Sequence, residues 1–145
     1  MQKLNQHATK IFSCLMTKLK NEPYIKLLSD GFMPLTFERL EGQIRTAYGI
    51  GELFSLAHYY KQNGDAMRDP EMLFLVVDLR TELQGKEEYL FIFPVMYQQD
   101  NLGVYEESVV FENSTVKNFK PHWQKAHANF ANSWLSTIHH QAFLK

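Results

Sequence analysis

Apolar side chains recur every three or four positions near both ends of the chain, the spacing of amphipathic helices. In the first segment they are Leu4, Ala8, Ile11, Phe12, Leu15, Met16 and Leu19. This spacing predicts an N-terminal helix that ends before Pro23, because the residue preceding a proline is disfavoured in the helical conformation. A second helix is predicted from Pro121, since proline suits the first helical position. Its apolar stripe consists of Trp123, Ala126, His127, Phe130, Ala131, Trp134, Ile138 and Ala142.

Between the two helices the pattern changes to alternation or to continuous apolar runs that are rich in aromatic and β-branched residues, as is typical of strands. Five strands are predicted, at about 34–40, 52–61, 71–79, 88–97 and 103–112. The connections between the later strands are too short for the crossovers that parallel strands need. The predicted fold class is therefore α+β, with residues 1–145 forming a single domain. Its sheet is predicted to be an antiparallel meander of about five strands, flanked by the N-terminal and the C-terminal helix.

Two of these runs, 72–77 and 89–93, are apolar on both faces, which is typical of central strands. One helix layer covers only one face of a sheet, so we expect the other face to meet the second helix, a dimer partner or a ligand. Pro94 lacks a ladder donor and predicts a bulge or a locally unpaired edge. The segment 41–51 is expected to be either a long hairpin loop or a mobile flap.

Composition excludes several classes of protein. With 45% hydrophobic residues and a formal net charge of -1, the chain is not of the intrinsically disordered kind. No apolar run approaches the roughly 20 residues of a membrane span, and no apolar run of the signal-peptide type follows residues 1–7. The one cysteine, Cys14, fits a reducing compartment. We therefore expect a cytoplasmic protein that does not associate with membranes.

Charge is unevenly distributed along the chain. Residues 64–112 hold eleven acids and three bases, or -8, whereas residues 113–145 hold four lysines and no acid. Residues 1–26 hold five lysines and one glutamate, or +4. An acidic middle segment repels phosphate and disfavours direct binding of nucleic acid there. The simplest interpretation of the segment is a solvated acidic face.

The stretch 58–72 is the most distinctive in the sequence, because Asn63-Gly64 and the Asp-Pro step mark a turn between two strands. Asp65, Asp69 and Glu71 would crowd at one end of this hairpin. Three carboxylates so close together are one way to hold Mg²⁺ or Ca²⁺. The other interpretation is that Asp65 and Asp69 bond to their own turn backbone, as such residues commonly do.

A second polar turn, 97–105, contains Tyr97, Asp100 and Tyr105. It predicts either a recognition loop or a plain hairpin in which the two tyrosines form a cross-strand pair. His58 lies in the middle of a strand and is expected to be a hydrogen-bonded core or rim residue more often than a base. The candidate binding residues are therefore His58, Asn63, Asp65, Asp69, Glu71, Tyr97, Asp100 and Tyr105.

Three segments carry a resemblance to a known family: Gln62–Met72, the stretch 97–103, and the Trp134 helix that ends in Gln141-Ala142-Phe143. Together they resemble an uncharacterised domain family of conjugative elements, plasmids and phages of gut bacteria. The match covers most of the chain from about Met33 onward. This resemblance implies a cytoplasmic accessory protein of a bacterial mobile element, and it brings no catalytic residues.

The sequence favours a non-enzymatic interaction module that binds a protein partner or associates with itself, because no Ser-His-Asp or Cys-His catalytic arrangement and no cofactor motif can be inferred. The alternative is a metal-dependent enzyme that acts on a nucleotide or nucleic acid through Asp65, Asp69 and Glu71.

Overall fold

The structure, a computed structural model, describes residues 1–83 and 85–145. Along the chain, one helix precedes and one helix follows a series of strands. The elements are α1 (Gln6–Leu19), β1 (Tyr24–Leu27), β2 (Leu35–Arg39), β3 (Ile44–Thr46), β4 (Gly49–Gln62), β5 (Asp65–Asp78), β6 (Leu90–Gln99), β7 (Val104–Glu107), β8 (Val109–Glu112), β9 (Thr115–Phe119) and α2 (Pro121–His140). Short 3₁₀ turns occupy Glu87–Tyr89 and Asp100–Leu102.

The sheet has nine strands and is mixed, so the predicted five-stranded antiparallel meander is wrong, although the α+β class and the two helices are confirmed. Its order is β7-β6-β5-β4-β3-β9-β8, with β2 beside β4 and β1 beside β2. The pair β3–β9 is parallel, and the other pairs are antiparallel. The sheet curls until β8 returns to β6, where the Ser108 amide donates to the Val95 carbonyl at 2.9 Å. The result is close to a barrel.

The strands that the sequence pattern missed are short. β1, β3 and β9 have four, three and five residues, too few for an alternation pattern to stand out. The predicted strand at 103–112 is two strands, since the chain turns at Ser108 and β7 pairs with β6 whereas β8 pairs with β9. The segment 41–51 is neither a long loop nor a flap. It holds β3 and the start of β4, joined by a tight turn in which the Thr46 hydroxyl donates to the Gly49 carbonyl at 2.8 Å.

Both helices pack on one face of the sheet. α1 begins at an Asn5 cap, whose side chain accepts from the Ala8 amide at 2.8 Å, and it ends before Pro23 as predicted. Phe12 inserts edge-on between the Phe37 and Phe74 rings at 5.2 and 5.1 Å. α2 adds Ala131, Trp134, Leu135 and Ile138 to the same core. This cluster is the larger of the two cores.

The second core lies on the opposite face of the sheet and is closed by the β8–β9 ribbon. Leu75, Val77 and Phe93 are buried there beneath Val109 and its neighbours. We expected this face to meet the second helix, a dimer partner or a ligand. Over this half of the face that expectation is wrong, because the chain's own ribbon provides the cover.

The bulge predicted at Pro94 is confirmed. The register between β5 and β6 shifts between Leu73 and Phe74, so that Val95 is an extra residue. The Pro94 carbonyl accepts from the buried Gln124 side chain at 3.2 Å, which ties this irregular point of the sheet to α2.

Candidate functional site

The ribbon covers only one half of the second sheet face. Beyond it the strand registers align two rows of residues across six strands, β1, β2, β4, β5, β6 and β7. The row nearer the ribbon is Tyr24, Glu38, Ser55, Leu73, Met96 and Glu107, and the next row is Lys26, Thr36, Ala57, Glu71, Gln98 and Tyr105. We call these two rows, together with the adjoining pair Tyr59 and Arg68, the open face. It lies on the side of the sheet opposite the helices, because its residues alternate with Phe54, Leu56, Met72 and Phe74 of the helix-covered core.

A second irregularity sets the geometry of the open face. The register between β4 and β5 shifts between Ala57 and Tyr59, so that Arg68 pairs with Tyr59 and Glu71 with Ala57. Residues three apart on a regular strand point to opposite faces, but this extra residue brings Arg68 and Glu71 to the same face. Their side chains form an ion pair, with Arg68 Nε 3.2 Å from Glu71 Oε1.

Glu71 is the centre of a polar network. Its Oε2 accepts from the hydroxyl of buried Ser55 at 2.7 Å, and its side chain is only 14% exposed. Arg68 then reaches Asp100, whose Oδ2 accepts from the Arg68 amide at 2.8 Å and lies 3.4 Å from Arg68 Nη1. Both oxygens of the Glu71 carboxylate therefore have a partner, as buried polar groups require.

Two tyrosines flank this network. Burial raises the pKa of Tyr59, and the carboxylates Glu71, Glu38 and Asp100 raise it further, against the opposing effect of Arg68. The pKa of Tyr105 is raised first by its hydrogen bond to Glu107 at 2.5 Å, then by burial and by the charges of Glu107 and Glu71. The leading causes of the two shifts therefore differ, burial for Tyr59 and a hydrogen bond for Tyr105, and the charge of Glu71 contributes to both.

Charges of both signs lie on the open face. Its carboxylates are Glu38, Glu71 and Glu107, with Asp100 at the margin, and its cations are Lys26 and Arg68, with Lys61 next to Lys26 and Tyr59. Arg68 is already engaged by two of these carboxylates, so the negative charge of the others is not locally compensated by it.

The structure separates the candidates that the sequence suggested. Glu71 and Tyr105 lie on the open face, and Asp100 lies at its margin. Asn63 is at the exposed hairpin tip, with Asp65 opposite Gln62. Asp69 accepts from the Gln99 side chain at 2.5 Å. Ser55 and Arg68 were missed, since a serine in an apolar strand and an arginine at a turn carry no signal of their own.

His58 points to the helix-covered side. Its Nδ1 lies 3.1 Å from the Met33 carbonyl oxygen, and its ring lies 5.8 Å from Trp134 and 5.6 Å from Phe143. It is 8% exposed and therefore sits at the rim of the core.

Tyr97 and Tyr105 do not form a cross-strand pair, so that prediction is wrong. Tyr97 pairs with Glu106, and Tyr105 pairs with Gln98, which places the two rings on opposite faces. Tyr97 instead stacks on His127 of α2 at 5.9 Å, and its pKa is raised by burial and by the charges of Asp69 and Glu106.

His127 joins an arrangement that no spacing in the sequence indicates. Its Nδ1 lies 3.0 Å from Ser108 Oγ and its Nε2 lies 2.9 Å from Glu106 Oε1. The residue types match those of a hydrolase triad, but the serine meets the nitrogen that a triad gives to the carboxylate. Ser108 is fully buried, beyond the reach of a substrate. The three residues therefore tie α2 to the corner between β7 and β8.

The carboxylates of the alternative metal site do not converge. Glu71 bonds Ser55 and Arg68, whereas Asp69 bonds Gln99. Within residues 1–83 and 85–145, no three His, Cys, Asp or Glu side chains form a group that could hold a metal ion. The geometry gives the metal hypothesis no support.

Carboxylates and tyrosine rings on one sheet face are suited to binding cations of a protein partner. Carboxylates accept hydrogen bonds from Lys and Arg, and tyrosine rings offer apolar area and cation–π contacts.

Residues 3–144 match the model of a family described as Domain of unknown function (DUF6908). The chain therefore belongs to this uncharacterised family. No curated protein and no solved structure matches the chain. In the part of the chain that the structure describes, neither helix is long and apolar enough to cross a membrane.

Proposed function

We propose that this protein is a non-enzymatic interaction module whose open face binds a basic segment of a partner protein. The observation that carries the proposal is the difference between the two halves of the second sheet face. One half is sealed by the β8–β9 ribbon. The other carries the carboxylates Glu38, Glu71 and Glu107 and the tyrosines Tyr24 and Tyr105 within two rows that cross six strands.

The chemistry of the open face selects the kind of partner. Tyrosine is enriched at protein interfaces, because it combines a large apolar surface with a polar end. Tyr24 and Tyr105 are 59% and 55% exposed, so both rings are available to a partner. Glu38 and Glu107, which do not pair with Arg68, favour the lysine and arginine side chains of a partner.

A peptide titration tests this proposal. The probes are a short peptide of alternating arginine and serine and the matching peptide of glutamate and serine, each added to the isotopically labelled protein while amide NMR shifts are followed. The basic peptide is expected to shift amides of β4, β5, β6 and β7 on the open face, and the acidic peptide to shift none. Removing two carboxylates by Glu38→Gln/Glu107→Gln should weaken binding about two- to thirtyfold, as exposed pairs are worth about 0.2–1 kcal/mol each.

A charge-matched control is the variant Asp30→Asn/Glu82→Gln, whose two carboxylates are exposed but lie outside the open face. It should bind the basic peptide like the original chain at low ionic strength. If both variants lost the same affinity for the basic peptide, the effect would be one of net charge and would contradict a specific surface. Amide shifts spread over the helices would also contradict a specific surface.

The same proposal places the module in the cytoplasm, as an accessory protein of a bacterial mobile element. This context is supported by the resemblance of three segments, Gln62–Met72, 97–103 and the end of the Trp134 helix, to proteins of such elements.

A further inference from the structure

In the part of the chain that the structure describes, the outer side of β1 has no strand beside it. β1 pairs only with β2, and the Arg39 amide donates to the Pro23 carbonyl at 2.8 Å just before the strand. Hydrogen-bonded and non-hydrogen-bonded pairs alternate along antiparallel strands. Ile25 therefore bonds to β2, whereas the N–H and C=O groups of Tyr24 and Lys26 point away from it. Both of these residues are exposed.

We propose that two copies of this chain join through this outer side, β1 against β1, in an antiparallel pair centred on Ile25. The inference goes beyond the proposed function and does not rest on it. In this register Tyr24 lies opposite Lys26 of the other copy, and each such pair exchanges two backbone hydrogen bonds. A two-fold axis at Ile25 relates the copies, so the contact closes after two chains. The sheet then continues from one copy into the other.

The side chains of β1 are complementary to themselves in this register. On the helix-covered side, Ile25 meets Ile25 of the other copy, and Leu27 meets Pro23. Ile25 and Leu27 pack against the larger core and are only partly buried, so the pairing extends this core across the edge. On the side of the open face, the Lys26 ammonium meets the Tyr24 ring, where a cation–π contact is favourable.

Lys26 favours a second copy over other strands. A lysine on an exposed edge opposes pairing, because a cationic or apolar residue opposite it is unfavourable. In the self-pairing this lysine faces a tyrosine ring, and the two-fold axis repeats the contact. The same charge therefore accepts one kind of partner and disfavours others.

The edge strand β7 is not suited to such a contact. Ser108 bonds to β6 directly after β7, so by the same alternation the backbone groups of Tyr105 and Glu107 point outward. A self-pairing of β7 would place two Glu106 side chains directly opposite each other, and like charges there are destabilising. Pairing β7 with β1 of another copy would set Glu106 against Ile25. The edge that fits a second copy is therefore β1.

Exposed apolar side chains are concentrated near β1. Leu28, which follows the strand, is 72% exposed, and Phe32 in the next loop is 46% exposed. Such a concentration at one edge is typical of an association surface. The paired segment is short, and contacts that bury less than roughly 1,200 Å² are weak. We therefore expect a dimer that forms at high protein concentration.

Sedimentation of the original chain between about 0.01 and 1 mM measures the association. The average mass should rise with concentration from 17.0 kDa towards twice that value and no further. Lys26→Pro removes an outward amide and leaves the bonds from β1 to β2, whereas the control Lys26→Ala keeps that amide. Both variants lose the ammonium, so Lys26→Pro should dimerise about fivefold or more weakly than Lys26→Ala. Circular dichroism and urea midpoints establish that each variant is folded.

Cross-linking tests the register itself. Ile25 lies opposite Ile25 of the other copy in a non-hydrogen-bonded pair, whose Cα atoms are about 4.5 Å apart, within the range of a disulfide. Cys14→Ser removes the one natural thiol. In that background Ile25→Cys should form a covalent dimer when oxidised glutathione is added. Tyr24→Cys is the matched control and should cross-link far more slowly, because its Cα atoms would be about 8 Å apart or more.

An original chain that stays at 17.0 kDa up to about 1 mM would overturn the inference, and so would growth beyond two copies. It would also be overturned if Lys26→Pro associated as tightly as Lys26→Ala, or if the two thiol variants cross-linked equally fast. The peptide titration is independent of these results, because it follows amides of β4 to β7 and not of β1. Failure of one proposal is therefore distinguishable from failure of the other.

Discussion

The two halves of the second sheet face are formed by the same strands and differ in what lies over them. In the half under the β8–β9 ribbon, β5 and β6 contribute Leu75, Val77 and Phe93, and all three are buried. A few residues away along the same strands, the positions on this face are Glu71 and Gln98. The ribbon therefore covers the part of this face that carries apolar side chains. Leu73 and Met96, which lie between the two halves, still pack in the second core, and the polar residues begin beyond them.

This contrast shows that the helix-covered face alone fixes the strand register, since it is apolar along both halves. Leu56 and Met72 on that face are buried directly behind Ala57 and Glu71. The open face is therefore free to carry polar groups without loss of register. The four predictions that follow test the difference between the halves, beginning with the largest expected effect.

Removing an aromatic ring from the covered half should have the largest effect. Phe93→Ala deletes a side chain that is 1% exposed and is expected to lower the free energy of unfolding by about 3–5 kcal/mol. Urea denaturation followed by circular dichroism measures this change. The matched variant Tyr105→Ala, in the open half, should change stability by no more than about 0.5 kcal/mol. Equal losses for the two rings would mean that the open face is covered in solution.

Disrupting the polar network at Glu71 should lower the free energy of unfolding less than a core substitution does and more than a substitution elsewhere on the open face. Glu71→Leu leaves the buried Ser55 hydroxyl and the Arg68 guanidinium without this acceptor, at an expected cost of about 1–3 kcal/mol. Glu71→Gln keeps an oxygen for Ser55 and should cost less. Comparing Glu71→Leu with and without Ser55→Ala by urea denaturation gives the coupling energy. If the two changes were simply additive, the hydrogen bond would contribute nothing.

Acid should weaken the end of β5, where Asp78 lies on the helix-covered side of the sheet behind the covered half. Burial alone would raise the pKa of Asp78, but side-chain and backbone hydrogen bonds from Arg80, together with its charge, outweigh burial and lower that pKa below 3.8. A lowered folded-state pKa adds stability above the unfolded-state value, and this stability is lost as the pH falls through the folded-state value. In Asp78→Asn, stability measured between neutral pH and about pH 3 should fall less steeply than in the original chain. A parallel fall in both would show that other carboxylates account for the slope.

High pH should destabilise the open half, and this is the smallest of the four expected effects. The pKa values of Tyr59 and Tyr105 are raised above 10.0, so their contribution to stability is complete below that pH and is lost as the pH rises through the folded-state values. Tyrosinate absorbance should titrate above the range of a model tyrosine. Tyr59→Phe/Tyr105→Phe should remove part of the late-titrating absorbance and flatten the alkaline loss of stability. A titration unchanged by the two substitutions would contradict a negative environment at these rings.

Sequence periodicity was sufficient for the long elements. Both helices and the long hairpin around Asn63-Gly64 follow from the pattern, because an amphipathic stripe and a left-handed turn, here with φ of 54° and 85°, are local properties. The parallel pair β3–β9 joins Arg45 to Thr115, seventy residues apart, by contacts that no local pattern encodes. The ribbon could not be predicted as the cover of the second face for the same reason.

The open face was only partly predictable from the sequence. Glu71, Asp100 and Tyr105 stand out as charged or aromatic residues near turns. Which of them share a face depends on the register shift between Ala57 and Tyr59, and that shift moves Arg68 to the side of Glu71. A shift of one residue reverses the orientation of every later side chain, so a pattern read without the shift assigns residues to the wrong side.

The corner at Ser108 holds one edge of the open face in place. The Ser108 amide and carbonyl bond Val95 and Lys120, and its hydroxyl lies within hydrogen-bond distance of Pro94 and His127, so β7 is anchored where the chain turns into the ribbon. A partner of the kind proposed would therefore meet a strand whose position is already set. Its binding would cost little conformational entropy in β7.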